Sequence, residues 1–454
     1  MAYRKYPDGS EVIFVSGLGR VAKYLFDNGG LQLVSEIQIP GFEQQYLSQE
    51  ETASLVDDLD AAETDEETLL ARLQPVVRET GIKTENWSNG LYTMMDVDGF
   101  YYPGYGTELI KVGDISPDDP ASEIEIVNSR DLRLDAPEDL QEQISRFLGV
   151  NMTYDGKIVV AMAGAIAIVD RDMSNVKIAP IPGEIVDNGV SVDEKGGIYV
   201  VTDQYMRKLV WTGTDISLEE ADGAWKEPYD WVKKEGSLSN GSGTTPTLLG
   251  FGEEEDKLVI IADQGDPVKA VAFWRDEIPE DAKKVEGAKT QRTAASIPLS
   301  FPVATTIEWS PHVFGNGMMM FASEFPEPVY LDGEFDLVST QVTMGLTRPA
   351  PRGAEKFSWD WEKNEFKSDW VYDEKTFTWT LSPVSVKDGT AYLATVGEGV
   401  YGLVGFDWET GEKVADISFG QSVKFNTGGT FAMPTPDGGI YLTGIFGPVR
   451  IAPQ

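Results

Sequence analysis

Short apolar runs separated by Gly, Asp and Asn turns recur along the chain, and each run is too brief and too densely punctuated to be a helix. One unit repeats: a weak strand, a tight turn, a stronger strand, a loop of acids or glycines, then a further strand. It is clearest at Asn151–Met162, Gly189–Asp203, Thr245–Asp263, Ser310–Glu324, Ser382–Thr395 and Thr430–Thr443. Pairs such as Asp155-Gly156, Gly196-Gly197 and Asp437-Gly438 supply the positive φ that tight hairpins need.

A hairpin of this kind cannot bury both faces alone, so successive copies have to stack. Starts near 151, 189, 245, 310, 382 and 430 lie 38 to 72 residues apart, which brackets the ~40–50 residues of a propeller blade with loop insertions in the longer units. Two weaker units, Glu11–Pro40 and Asn89–Ile115, bring the count to eight, with seven the alternative. The pattern predicts an all-β, eight-bladed β-propeller, one domain over residues 1–454. The first unit reads as lacking its opening strand and the last its closing one, which predicts a ring closed by pairing the N- and C-terminal strands.

Two stretches depart from the strand pattern. Ser48–Gly81 is acidic and carries Leu55, Leu59, Leu69, Leu70 and Leu73 near helical spacing, with Gly81 as its stop. It is expected to be a small helical insertion running out into solvent, with a lid or an interface as the alternative. Pro137–Leu148 reads as one more short helix.

Composition sharpens this picture mainly through charge. A hydrophobic share of 41% with 11% aromatics supports a large core. The 37 basic and 75 acidic residues leave a net charge of −38, which repels phosphate backbones and anionic lipids, so neither nucleic acid nor a membrane surface is an expected partner. Solubility in salt is the plain reading of that acidity; steering of cationic or metal ligands is the sharper one. Cysteine is absent, which excludes disulfides, thiolate catalysis and zinc-thiolate sites, and the single histidine, His312, excludes a zinc site built on several imidazoles. No run approaches the length of an apolar membrane span. Met1–Pro7 carries no apolar h-region, so no signal peptide is expected in the chain as written, and a cysteine-free composition is compatible with a periplasmic or extracellular setting.

With the repeats laid out, the chain resembles standalone quinoprotein-alcohol-dehydrogenase-like (PQQ-like) propellers. The residues that carry this are Asn240–Gly252, Ala272–Pro279, Glu220–Tyr229, Gly405–Gly411 and Gly447–Ile451, and the resemblance covers residues 150–454. It implies the fold and not the reaction. Many PQQ dehydrogenases hold a vicinal disulfide over the cofactor, which this chain cannot make, so PQQ itself is not an expected cofactor.

In a propeller the first strand of each blade enters from one rim and the second returns to it, so residues opening first strands and closing second strands converge on one mouth of the central channel. Second strands end in Asp203-Gln204, Asp263-Gln264, Glu324 and Glu398; first strands open near Asn188, Thr244-Thr245, Ser310, Ser382 and Asn426. Asp203, Asp263 and Glu324 are candidate ligands for Ca²⁺ or Mg²⁺, hard cations that oxygen ligands suit. Asn188, Gln204, Thr244, Thr245, Gln264, Ser310, Ser382 and Asn426 are candidate substrate contacts. The alternative is that these groups bond neighbouring backbone. Glu308 is the candidate general base, with His312 beside it in sequence as a candidate catalytic or a merely structural residue. Asp407-Trp408-Glu409-Thr410-Gly411 reads as a structural blade turn and Met318–Met320 as core.

Three functional readings follow. The first is a hydrolase or lyase, assisted by a divalent cation and acting on a small or oligomeric polar substrate at the mouth. The second is a non-catalytic ligand- or protein-binding scaffold, and the third a PQQ oxidoreductase.

Overall fold

The computed structural model describes residues 1–27, 30–62, 65–83, 87–234, 236–253, 255–303, 305–377, 380–381, 383–428, 430–435 and 437–452. Within these, eight sheets of four or five strands follow one another around a ring, joined by a separate two-stranded hairpin, Tyr330–Leu331 with Glu334–Phe335, inserted in the sixth. The first strands of blades one to eight are Ala2–Lys5, Thr93–Met95, Phe147–Met152, Ser191–Val192, Thr247–Leu249, His312–Phe314, Val384–Ser385 and Thr430–Pro434. First strands of neighbouring blades touch, Ala2–Lys5 meeting Thr93–Met95, Thr93–Met95 meeting Phe147–Met152 and Thr247–Leu249 meeting His312–Phe314, which places them innermost.

The second strands explain why the chain closes into a ring. Ile158–Met162, Gly197–Val201, Leu258–Ala262 and Gly317–Phe321 are buried at every position. A strand covered on both faces reads as a continuous apolar run rather than an alternation. Outer strands such as Lys413–Gly420 are largely open to solvent and polar on one side. Each major core cluster straddles two adjacent blades: Val159 and Ile166 of the third meet Ile198 and Val200 of the fourth, and Ile260 and Ala272 of the fifth meet Met318 and Met320 of the sixth. On the far rim the turn acids are held by the next blade's tryptophan, Trp211 Nε1 donating to Asp155 at 3.0 Å and Trp359 Nε1 to Asp256 at 2.8 Å. The Asp407–Gly411 turn is structural as expected, with Asp407 accepting from the Thr410 N–H and hydroxyl, both at 2.8 Å.

Two expectations are corrected and one is narrowed. The N- and C-terminal strands do not share a sheet. Ala2–Lys5 pairs with Glu11–Ser16 through the Asp8-Gly9 turn and completes the first blade from its own sequence. The last blade instead takes Thr380–Leu381 in parallel beside Thr430–Pro434. Pro137–Leu148 holds a short helix as expected, but it is 3₁₀, covers only Glu138–Gln143 and gives way to the strand at Phe147.

The acidic insertion is helical but not a solvated excursion. Helix α1 (Gln49–Asp60) starts in a Ser48/Glu51 capping box, and α2 (Glu66–Thr80) stops at Gly81, whose φ of 62° only glycine adopts cheaply. Leu59, Leu69, Leu73 and Val77 pack on Val342 of α3 (Leu337–Thr343), a helix inserted in the sixth blade, and on Val423 before the eighth. Glu66 pairs with Arg348 at 2.9 Å, and Asp60 accepts the Val423 N–H at 2.7 Å. An element that leaves the ring between blades one and two therefore reaches across the mouth to blades six and eight.

Candidate active site at the channel mouth

Five consecutive blades deliver a polar side chain at the same place, just before the first strand. Blade two gives Tyr92, blade three Arg146, blade four Asp187 and Asn188, blade five the turn from Ser239 to Thr245, and blade six Glu308. Hydrogen bonds knit them together. Tyr92 donates to Asn188 Oδ1 at 3.1 Å, and the Thr245 hydroxyl donates to the same oxygen at 3.0 Å. Asn188 Nδ2 donates to the Gly243 carbonyl. Arg146 Nη2 pairs with Asp187 Oδ1 at 3.0 Å, while Asp187 Oδ2 accepts the Asn240 N–H at 2.9 Å. Gly243 is needed for this closeness: a Cβ there would lie 2.5 Å from Glu308 Oε2 and from the Ile307 carbonyl.

Glu308 is half-buried, its Oε2 accepting from the Ser239 hydroxyl at 3.0 Å and its Oε1 from the Leu238 N–H at 3.3 Å. Burial pushes its pKa up to about 7; the two donors pull the other way, and the charge of Asp187 adds to the rise. Asp187, 6% exposed, is pushed up to about 6, again chiefly by burial, against the lowering effects of the Asn240 N–H and Arg146. Burial together with the charge of Glu308 raises the Tyr92 phenol, while Arg146 lowers it. Two carboxyls with raised pKa values, an arginine and a tyrosine therefore share one mouth.

Of the expected substrate contacts, Asn188 and Thr245 belong to this network. Thr244 and Gln264 are wholly buried and serve backbone: Thr244 accepts the Ala262 N–H at 3.1 Å and Gln264 the Gly241 N–H at 2.9 Å. Asn426 is likewise buried, donating to the Gln341 carbonyl at 2.9 Å. Gln204 is exposed and donates to the Gly183 carbonyl at 2.7 Å. Ser310 is partly exposed at the head of the sixth blade, and Glu398 stands exposed on the turn of the seventh. Ser382 lies outside the described residues.

Among the described residues no three Asp, Glu or His side chains come together in a group able to hold a metal ion. Asp203 accepts the Ile185 N–H at 2.8 Å, and Asp263 accepts those of Gly265 and Lys269 at 3.1 and 2.7 Å. Both carboxylates accept from backbone of neighbouring connections, and Glu324 is buried. His312 shares no hydrogen bond with Glu308: its ring stands edge-on to Phe321 at 5.2 Å, neither nitrogen has a partner, and burial lowers its pKa to about 4.

Tyr92, Arg146, Asp187 and Ser239 escaped the sequence reading. The signal was present in register: each stands directly before a first strand or in the loop leading to it. Divergence of the second blade hid the start of its first strand and so Tyr92, whereas Asp187 and Ser239 lie in connecting loops ahead of repeats that are themselves clear.

No family model matches the chain. Over 324 residues, 67% of this chain, it is 30% identical to an uncharacterized protein of Archaeoglobus fulgidus, and it spans about 60% of that relative's length. Among solved structures it resembles a putative 6-phosphogluconolactonase from Bacteroides fragilis, at 10% identity over 92% of this chain and 97% of that one, TM-score 0.47. It also resembles the periplasmic gluconolactonase of Pseudomonas aeruginosa, at 9% identity over 91% and 96%, TM-score 0.47, and a chain of the mitotic checkpoint complex, at 8% identity over 80% and 89%, TM-score 0.45.

Proposed function

We propose that the chain is a hydrolase or lyase acting on a small polar substrate at the channel mouth, with Glu308 as its general base. One observation carries this reading: a half-buried carboxyl, poised near pH 7 between two donors, faces the mouth beside a second raised carboxyl that is held by an arginine. A base is most effective when its pKa lies close to the working pH. Glu308 takes a proton from water or from a carbon acid, Tyr92 gives one to the leaving group, and Arg146, held by Asp187, offers its remaining donors to the oxygen on which charge develops. The blade motifs further favour the PQQ-like propellers as the family from which this ring descends.

The test is a panel of lactones, esters and glycosides, assayed from pH 5 to 9 with the full chain and with Glu308→Gln. Turnover is expected to rise with an apparent pKa near 7 and to fall by ~10²–10⁴-fold in the variant, the usual contribution of a general base. Undiminished turnover in Glu308→Gln, or a Glu308 that titrates in the ordinary carboxylate range, overturns the assignment. Repeating the assay with a chelator and with added Ca²⁺ or Mg²⁺ reads out cation assistance.

A further inference from the structure

The helical insertion roofs a second site. Between α1, α2, the mouth-side loops of the first and last blades and the hairpin-and-helix insertion of the sixth blade lies a cavity of about 700 Å³, large enough for a small organic molecule. Its lining shares no residue with the Glu308 network. Leu73, Val77, Trp87, Phe335, Ile445 and Phe446 make it predominantly apolar.

Into this lining comes Asp336, only 6% exposed. Its Oδ1 accepts the Ser339 N–H at 3.1 Å and caps α3, whereas Oδ2 is buried with no hydrogen-bond partner. A buried carboxylate oxygen left unpaired is costly, so a donor is missing from this spot. The arginines of the lining are engaged elsewhere. Arg78 grips Asp332 through two bonds of 2.9 and 3.1 Å, and Arg20 pairs with Glu36 at 3.3 Å; Lys83 is exposed to solvent. Trp87, Phe335 and Phe446 put aromatic side chains in the lining, which suits a cation, and the net charge of −38 draws cations toward the whole molecule.

We propose that this cavity binds an organic ammonium ion, a protonated amine on an apolar body. The amine donates to Asp336 Oδ2 while the body lies against Leu73, Val77 and Phe446. The site is independent of the chemistry assigned to Glu308.

Calorimetric titration of the full chain with benzylammonium, and with benzyl alcohol and benzoate as neutral and anionic matches, tests this. Benzylammonium is expected to saturate one site at least about tenfold more tightly than the alcohol, and benzoate to leave it empty. Asp336→Asn keeps an oxygen to cap α3 but loses the charge, and is expected to weaken the ammonium by about tenfold or more. Val77→Trp is expected to fill the space and abolish binding. Melting curves check that both variants fold, and Asp336→Asn alone decides the matter should Val77→Trp fail to. Absence of saturable benzylammonium binding, equal affinity for the alcohol, or undiminished binding by Asp336→Asn overturns the proposal.

Discussion

Glu308 and His312, four residues apart, show burial acting in opposite directions on an acid and a base. Glu308 is raised to about 7, so its proton favours the folded chain; that contribution is full at low pH and lost as pH rises through 7. His312 is lowered from 6.5 to about 4, so the unfolded chain takes its proton first; stability is full above 6.5 and lost as pH falls toward 4. With no hydrogen bond at either ring nitrogen to lose, His312→Leu is expected to gain on the natural chain by about 1–2 kcal/mol when denaturation is moved from pH 7.5 to pH 5. A difference in stability that stays constant across that range would mean the imidazole titrates normally. At this scale the sequence was legible where a residue's place in its blade could be counted. Glu308 and Asn188 stand within two residues ahead of clear repeats, and Thr245 opens one. That Asp203 and Asp263 accept from backbone of neighbouring connections depends on their rotamers, which spacing does not encode.

The blades themselves were legible because each hairpin carries its own turn chemistry and its own apolar run, both local properties. The first strands begin at Phe147, Ser191, Thr247, His312, Val384 and Thr430, each within a few residues of the repeat starts read from the pattern. Docking of the insertion was not legible, because it depends on Val342 and Val423, far away in sequence, and a helix rich in acids looks the same whether its leucines are covered or bare. That docking can be tested apart from the ring. Leu69 is fully buried in the contact, and a carboxylate there has no partner. Leu69→Asp is expected to cost the interface at least about 3 kcal/mol, releasing α1 and α2 while the blades stay folded. Hydrogen exchange over 49–80 should then rise sharply with little change over Ile158–Met162. Uniform loss of protection would instead make the insertion part of one cooperative unit with the ring.

For the molecule as a whole, the weak point is the seam between the last blade and the first. A ring closed by a shared strand has backbone hydrogen bonds across its junction; here the first and last blades are built from separate strands, and among the described residues side-chain contacts bridge them. Ile13, Ala22 and Tyr24 of the first blade meet Tyr441 of the last, and Arg450 lies 3.9 Å over the Phe26 ring and 5.7 Å from that of Tyr441. The net charge of −38 loads the same junction, since mutual repulsion favours any opening that separates the blades. Screening falls from a reach of about 30 Å at 0.01 M salt to about 10 Å at 0.1 M, so added NaCl should relieve that repulsion. The exposed ion pairs weaken too, but such pairs contribute little, and the Lys23–Asp114 pair at 2.7 Å is shielded by burial. The melting temperature is therefore expected to rise with NaCl, and exchange along Gly30–Gln38 and Gly447–Ile451 to be fastest at low salt. Tyr441→Ala should lower stability by about 3–5 kcal/mol and steepen the salt dependence, because a looser seam leaves repulsion less opposed. A melting temperature that falls with salt, or a Tyr441→Ala ring whose exchange increases evenly around all eight blades, would show that closure is not where this fold yields first.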